Sequence, residues 1–249
     1  MKKLFLAALC LPITTIYGQN WFAPAQIESH IRVLAADSMQ GRATGSEGER
    51  MAADYILRQF SKAGLKPAGD KGTWLQEFSF GTGTTHDKGR KGTANNVIAW
   101  LDNQAKLTLV IGAHYDHLGD GSDGHSLAPN EKGEIHNGAD DNASGVAGLI
   151  ELARYYAGNG EREKFNFVFV AFSGEEMGLL GSDWFINHTP IPLEEISGML
   201  NMDMIGRLDP KKPVLTVSGT GTAPEWEYLL KPFSSAVMQI QTDSAGLGP

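Results

Sequence analysis

The sequence predicts an α/β fold: a mixed, mostly parallel sheet flanked by helices on both faces. Three observations carry this. From residue 96 onward, apolar strand-like runs alternate with helical patterns. Phe165–Phe172 is nearly all apolar, as expected of a central strand covered on both sides. Acidic and histidine residues gather where these strands end, the place where open α/β sheets bind ligands.

The elements follow in order. Lys2 and Lys3 precede an apolar run, Leu4 to Ile16, which closes at Tyr17-Gly18. This layout is that of a secretory leader, so residues 1–18 are expected to be a signal peptide and 19–249 the folded domain, exported to the periplasm or beyond. The run is too short to span a bilayer, and no other segment approaches the ~20 apolar residues required. Residues 24–36 read as helical. Ser46-Glu47-Gly48-Glu49 is a capping box. Ala52, Tyr55, Ile56 and Phe60 then recur at helical spacing until Ala63-Gly64. Residues 81–93 are glycine-rich and polar, hence a loop. Asn96–Leu101 and Leu107–Ala113 read as strands, and 118–139 as a long polar loop. Ala143–Tyr156 is a helix with Val146, Leu149, Ile150 and Ala153 on its buried face. Further on come the strand Phe165–Phe172, a helix over Gly178–Asn187, strands near Ile196–Met202 and at Val214–Ser218, and a helix over Glu225–Val237.

The 249 residues carry 21 basic and 29 acidic side chains, a formal charge of −8. That balance leaves no basic stripe and argues against a nucleic-acid groove. Cys10 is the only cysteine and falls within the expected leader, so the domain has no disulfide to rely on.

Four clusters carry chemistry. Gly112-Ala113-His114-Tyr115-Asp116-His117 closes the strand 107–113. His114 at a strand end suits zinc, and Asp116 two residues on is placed to orient its imidazole. Asn137-Gly138-Ala139-Asp140-Asp141-Asn142 opens the helix 143–156; one cap does not need two aspartates, and a carboxylate can bridge two cations. Glu175-Glu176 ends the most apolar strand, where adjacent like charges are costly unless a cation neutralises them. Asp203 sits among methionines and isoleucine and needs a partner, either a metal or Arg207. His114, Asp140, Glu176 and Asp203 together form a mixed N/O donor set that suits zinc. His-Glu-x-x-His is absent.

Taken in order, GAHYDHLG, NGADDNASGVAGLIELAR, AFSGEEMGLLGS and NMDMIGR resemble the M28 family of zinc aminopeptidases, from about residue 24 to the end. The resemblance implies a zinc-exopeptidase-like fold and two Zn(2+) ions sharing one carboxylate. His114 and Asp203 would hold one ion, Glu176 the other, and Asp140 would bridge them. Glu175 would be the catalytic general base, and Asp116 would support His114. It also implies a cis peptide between Asp140 and Asp141. The substrates would be peptides with a free N-terminus. A single-zinc glutaminyl-cyclase-like enzyme and a non-catalytic binding domain of the same fold are the rival readings.

The family's fifth ligand is a second histidine that follows a late glycine-rich loop. Here Gly246-Leu247-Gly248-Pro249 looks like that loop, and His30, His86, His117, His125, His136 and His188 match no ligand position. The chain is therefore expected to lack its C-terminal part. The second metal position, left with two carboxylates, is expected to bind weakly.

Overall fold

A computed structural model describes residues 21–81, 90–122, 126–127, 133–235 and 237–244. The expected leader and the glycine-rich tail lie outside the described residues. Among those described, no helix is long and apolar enough to cross a membrane.

The chain begins with α1 (Pro24–Leu34), which has proline in its first turn where the missing N–H costs nothing. Next is α2 (Glu47–Lys62), capped as its sequence indicates: Ser46 Oγ accepts from Glu49 N at 3.2 Å. The reciprocal arm reaches one residue further back than in the standard box, with Gly45 N donating to Glu49 Oε2 at 2.6 Å. Strands β1 (Lys66–Pro67), β2 (Leu75–Phe80), β3 (Gly92–Leu101) and β4 (Thr108–His114) follow. One π-type turn, Ala139–Ser144, leads into α3 (Gly145–Gly158). Then come β5 (Asn166–Phe172), α4 (Leu180–Asn187) and β6 (Ile196–Asn201). A separate two-stranded parallel pair, β7 (Val214–Ser218) with β8 (Gln239–Asp243), encloses α5 (Glu225–Leu230).

The main sheet has the order β1-β3-β5-β4-β6, with β2 also paired to β3. It is mixed. β5, β4 and β6 run parallel, whereas β3 is antiparallel to β5, β1 and β2. β5 is buried along its whole length, as its unbroken apolar composition requires. Its alternate residues feed two cores. Phe167, Phe169 and Ala171 pack with Val97, Ala99, Ile111 and Ala113 under α1, α2 and α3. Val168, Val170 and Phe172 pack with Ile98, Val110 and Phe185 of α4 on the other face.

Two elements depart from the sequence reading. The helix expected over 225–237 stops at Leu230, where a short 3-10 turn over Lys231–Phe233 carries Pro232. Proline there has no N–H to continue the ladder. The loop expected over 81–93 gives way to strand at Gly92, because β3 runs on to pair the alternating segment β2.

Candidate metal centre

The parallel trio sets the site. His114 is the last residue of β4 and pairs in register with Phe172 at the end of β5; Gly112 pairs with Asn201 at the end of β6. The segments leaving these three strand ends carry Asp116 and His117, Glu175 and Glu176, and Asp203. The N-terminal turn of α3 brings Asp141 up between them.

Two groups of donor atoms result: His114, Asp141 and Asp203, and His117, Asp141 and Glu176. His114 Nε2 lies 3.2 Å from Asp141 Oδ1 and 3.3 Å from Asp203 Oδ1. Ligand atoms on a tetrahedral zinc with ~2.0 Å bonds stand roughly 3.3 Å apart, so both separations from His114 suit zinc, as does the mixture of imidazole and carboxylate. In the second group, His117 Nδ1 is 2.7 Å from Glu176 Oε1 and 3.9 Å from Asp141 Oδ2. Asp141 is common to both.

Asp140 belongs to neither group, which corrects the expectation that it bridges. Its Oδ1 accepts from Gly206 N at 2.8 Å and from Ser144 Oγ at 3.4 Å, facing the turn after β6. The backbone leaves helical geometry at Asp141 (φ −100°, ψ 99°), so that the neighbouring carboxylate faces the histidines. The cis peptide lies at Asp141–Asn142, one bond later than the resemblance implied.

Asp116 is fully buried and does more than support His114. Its Oδ1 accepts from Glu175 N at 3.2 Å, and its Oδ2 from Thr44 Oγ1 at 2.9 Å and Glu176 N at 3.4 Å. One carboxylate thus fixes the backbone of both glutamates. His114 Nδ1 is 3.3 Å from the main-chain oxygen of Asp116 and 3.6 Å from its carboxylate, so the closer partner is the carbonyl.

Burial opposes charge on the His114 imidazole, but the carboxylates of Asp116, Asp141 and Asp203 outweigh it and hold its pKa far above the usual histidine range. Such a nest of carboxylates demands a cation, either a proton or a metal. Glu175 Oε2 stands 3.9 Å from His114 Nε2. Burial pushes the Glu175 carboxyl up to about 7; His114 pulls it down, while Asp116, Glu176 and Asp203 push it further up.

Three supporting residues escaped the sequence reading. Arg42 is buried, and its guanidinium donates to the carbonyls of Tyr115 (2.8 Å), Leu34 (2.5 Å), Asn137 (2.8 Å) and Gly138 (2.9 Å), tying together the two loops that carry His114 and Asp141. Asn142 Nδ2 donates to Met202 O, and Asn142 Oδ1 accepts from Met204 N and Gly145 N, which fixes the Asp203 turn to α3. The third is His117. Its signal was present, three residues after His114 in the same strand-end loop.

The chain is 28% identical over 183 residues to leupeptin-inactivating enzyme 1 of Streptomyces exfoliatus, covering 73% of this chain and 35% of that protein. It is 29% identical over 166 residues to a probable leucine aminopeptidase of Arthroderma otae, covering 65% of this chain and 40% of that one. The chain thus spans well under half the length of these relatives. Among solved structures, the glutaminyl cyclase of Porphyromonas gingivalis shares the fold, with a TM-score of 0.70 at 18% identity over 90% of this chain and 77% of that one. The family profile described as Peptidase family M28 matches residues 96–246, which takes in every donor residue of both groups, and by that match the chain belongs to peptidase family M28.

Proposed function

We propose that the protein is a zinc-dependent aminopeptidase that removes N-terminal residues from peptides, with two ions held about a shared Asp141. The observation that carries this reading is the pairing of two donor groups through one carboxylate, with Glu175 beside them. His114, Asp141 and Asp203 would hold one ion, and Asp141 and Glu176 the other. When bound, zinc supplies Lewis acidity to a water and to the scissile carbonyl.

The chain's own residues do the rest. Glu175 takes a proton from the attacking water and delivers it to the leaving amine. A carboxyl whose Oε2 stands 3.9 Å from His114 Nε2 is within reach of both transfers. Asp116 holds the Glu175 and Glu176 backbone so that adjacent side chains keep separate tasks. The relative named as a leucine aminopeptidase supports the aminopeptidase reading.

The test is hydrolysis of amino-acid p-nitroanilides and short peptides, free and N-acetylated. Free substrates should be cleaved and acetylated ones should not. Equal turnover of both would overturn the exopeptidase reading. The fold shared with a glutaminyl cyclase favours one second reading, a single-ion cyclase. A Gln-initiated peptide separates them: cyclisation releases ammonia and leaves the peptide whole, whereas hydrolysis releases free glutamine.

A further inference from the structure

We infer that Glu49 is a positioning residue for the proposed general base, setting where Glu175 stands through a closed ring of buried hydrogen bonds. The inference rests on the reading of Glu175 above and extends it to a side chain outside the donor groups.

The ring starts in the first turn of α2. Glu49 Oε2 accepts from Gly45 N at 2.6 Å, and Oε1 accepts from Ser173 Oγ. Next to Gly45 is Thr44, whose Oγ1 donates to Asp116 Oδ2 at 2.9 Å. Asp116 Oδ1 accepts from Glu175 N at 3.2 Å. From Glu175 the chain runs back through Gly174 to Ser173, and the ring closes. Thr44, Glu49, Asp116 and Ser173 are all buried.

A helix cap alone does not explain this arrangement. Capping needs one oxygen for one backbone N–H and can be met at the surface, whereas a buried carboxyl is costly unless its oxygens are engaged. Glu49 commits its second oxygen across the molecule to Ser173, the first residue after β5 and two before Glu175. Ser173 is itself anchored, its N donating to Asn96 Oδ1 at 3.1 Å and its O accepting from Gly181 N at 3.0 Å. Glu175 therefore hangs between two fixed points, Ser173 and Asp116, with only Gly174 (φ +70°) between it and the first. Glu49 reaches one point directly and the other through Gly45 and Thr44, so one carboxyl sets their separation. A misplacement of about 1 Å in a reacting group costs on the order of 10²-fold in rate, so loosening this ring should reach kcat.

The simpler role for Glu49 is to cap α2 and stabilise the fold, which would move Tm and leave turnover alone. The experiment compares the zinc-loaded wild type with Glu49→Gln, Glu49→Ala and Ser173→Ala. It measures kcat and KM on a free amino-acid p-nitroanilide, zinc per chain, and amide hydrogen exchange at Glu175 and Glu176 by NMR. Glu49→Ala and Ser173→Ala should lose about 10–100-fold in kcat, with KM and zinc content unchanged. Glu49→Gln should keep most of the wild-type rate, because its amide offers an oxygen to Gly45 N and an N–H to Ser173 Oγ. In a Glu175→Gln background, Glu49→Ala should lower kcat no further, since its effect passes through Glu175. The Glu175 and Glu176 amides should exchange faster in Glu49→Ala and Ser173→Ala, while those of β5 keep wild-type rates. Should Glu49→Ala fail to fold, Ser173→Ala carries the same comparisons in both backgrounds. Wild-type kcat in Ser173→Ala, or an equal loss with Glu175 already replaced, would overturn the inference. A wild type that cleaves no free substrate removes the aminopeptidase reading. The exchange rates need no substrate and then decide the inference by themselves, unchanged rates at Glu175 and Glu176 refuting it.

Discussion

Asp140 Oδ1 accepts a 2.8 Å hydrogen bond from Gly206 N, while the next carboxylate along the chain, Asp141, lies 3.2 Å from His114 Nε2. Two adjacent aspartates are thus divided between two tasks. Asp140 fastens the turn after β6 to the start of α3, and Asp141 is placed to hold metal. Asp140→Asn keeps an acceptor for Gly206 N and should retain the wild-type zinc content. Asp140→Ala should cost about 1 kcal/mol in stability, the net worth of a typical hydrogen bond. Asp141→Asn should lose zinc. Elemental analysis and urea denaturation of the three variants check this, and zinc loss in Asp140→Asn with retention in Asp141→Asn would restore the bridging role to Asp140.

The same pair marks how far the sequence could be read. The sheet was legible because its central strands are apolar runs long enough to need cover on both faces, and Phe165–Phe172 needed no register to be recognised. The strand ends were legible because His114, Glu175-Glu176 and Asp203 are costly residues for such places. Whether Asp140 or Asp141 faces the histidines was not legible. It depends on two non-helical residues, Asp141 and Asn142, inside an otherwise helical turn, and one residue of offset reverses the direction of a side chain. β2 was missed although Leu75-Gln76-Glu77-Phe78-Ser79-Phe80 buries alternate residues; that alternation is too short to stand out until β3 pairs it. Arg42 could not be found, because its four partners are main-chain carbonyls and leave no trace in side-chain chemistry.

Glu175 and Glu176 should separate cleanly on mutation. Asp116 fixes both backbone N–H groups, so replacing one side chain need not move the other. Glu175→Gln should keep its zinc and lose about 10²–10⁴-fold in kcat, the usual worth of a positioned general base. Glu176→Ala should lose one equivalent of zinc. Steady-state kinetics alongside metal analysis would expose a swapped assignment, in which Glu175→Gln lost the ion and Glu176→Ala did not.

Arg42 should prove to be a geometric clamp rather than a point charge. Burial lowers its pKa to about 10, with Asp116, Asp141 and Glu176 opposing the drop, so it stays charged at neutral pH. Lysine keeps that charge but cannot fork to Tyr115, Leu34, Asn137 and Gly138 together. Each buried carbonyl left without a donor costs about 1–3 kcal/mol. Arg42→Lys should therefore lose about 3 kcal/mol or more, a Tm drop of roughly 6–12 °C for a domain of this size. Its zinc affinity should fall about 10–100-fold as the two loops loosen. A lysine variant with wild-type Tm and zinc affinity would show that charge alone suffices.

Glu49 sets a pH dependence on stability that is independent of the metals. Its carboxyl is buried behind the site, where it accepts from Gly45 N and from Ser173 Oγ. Burial raises its pKa to about 8, helped by the charge on Asp116, against a reference value of 4.5. Between those two values the folded chain binds a proton that the unfolded chain has released. The unfolded state then binds fewer protons, and stability falls as pH rises through this window. The slope is at most about 1.4 kcal/mol per pH unit, or roughly 3–6 °C in Tm. Glu49→Gln cannot ionise and should remove this part of the slope, so its Tm should overtake that of the wild type as pH climbs from 5 toward 8. Thermal melts of both proteins across that range, in chelator so that zinc affinity does not contribute, provide the check. Wild-type and Glu49→Gln curves running parallel would show that Glu49 is ionised in the folded protein throughout, held by Gly45 and Ser173 strongly enough to overcome its burial.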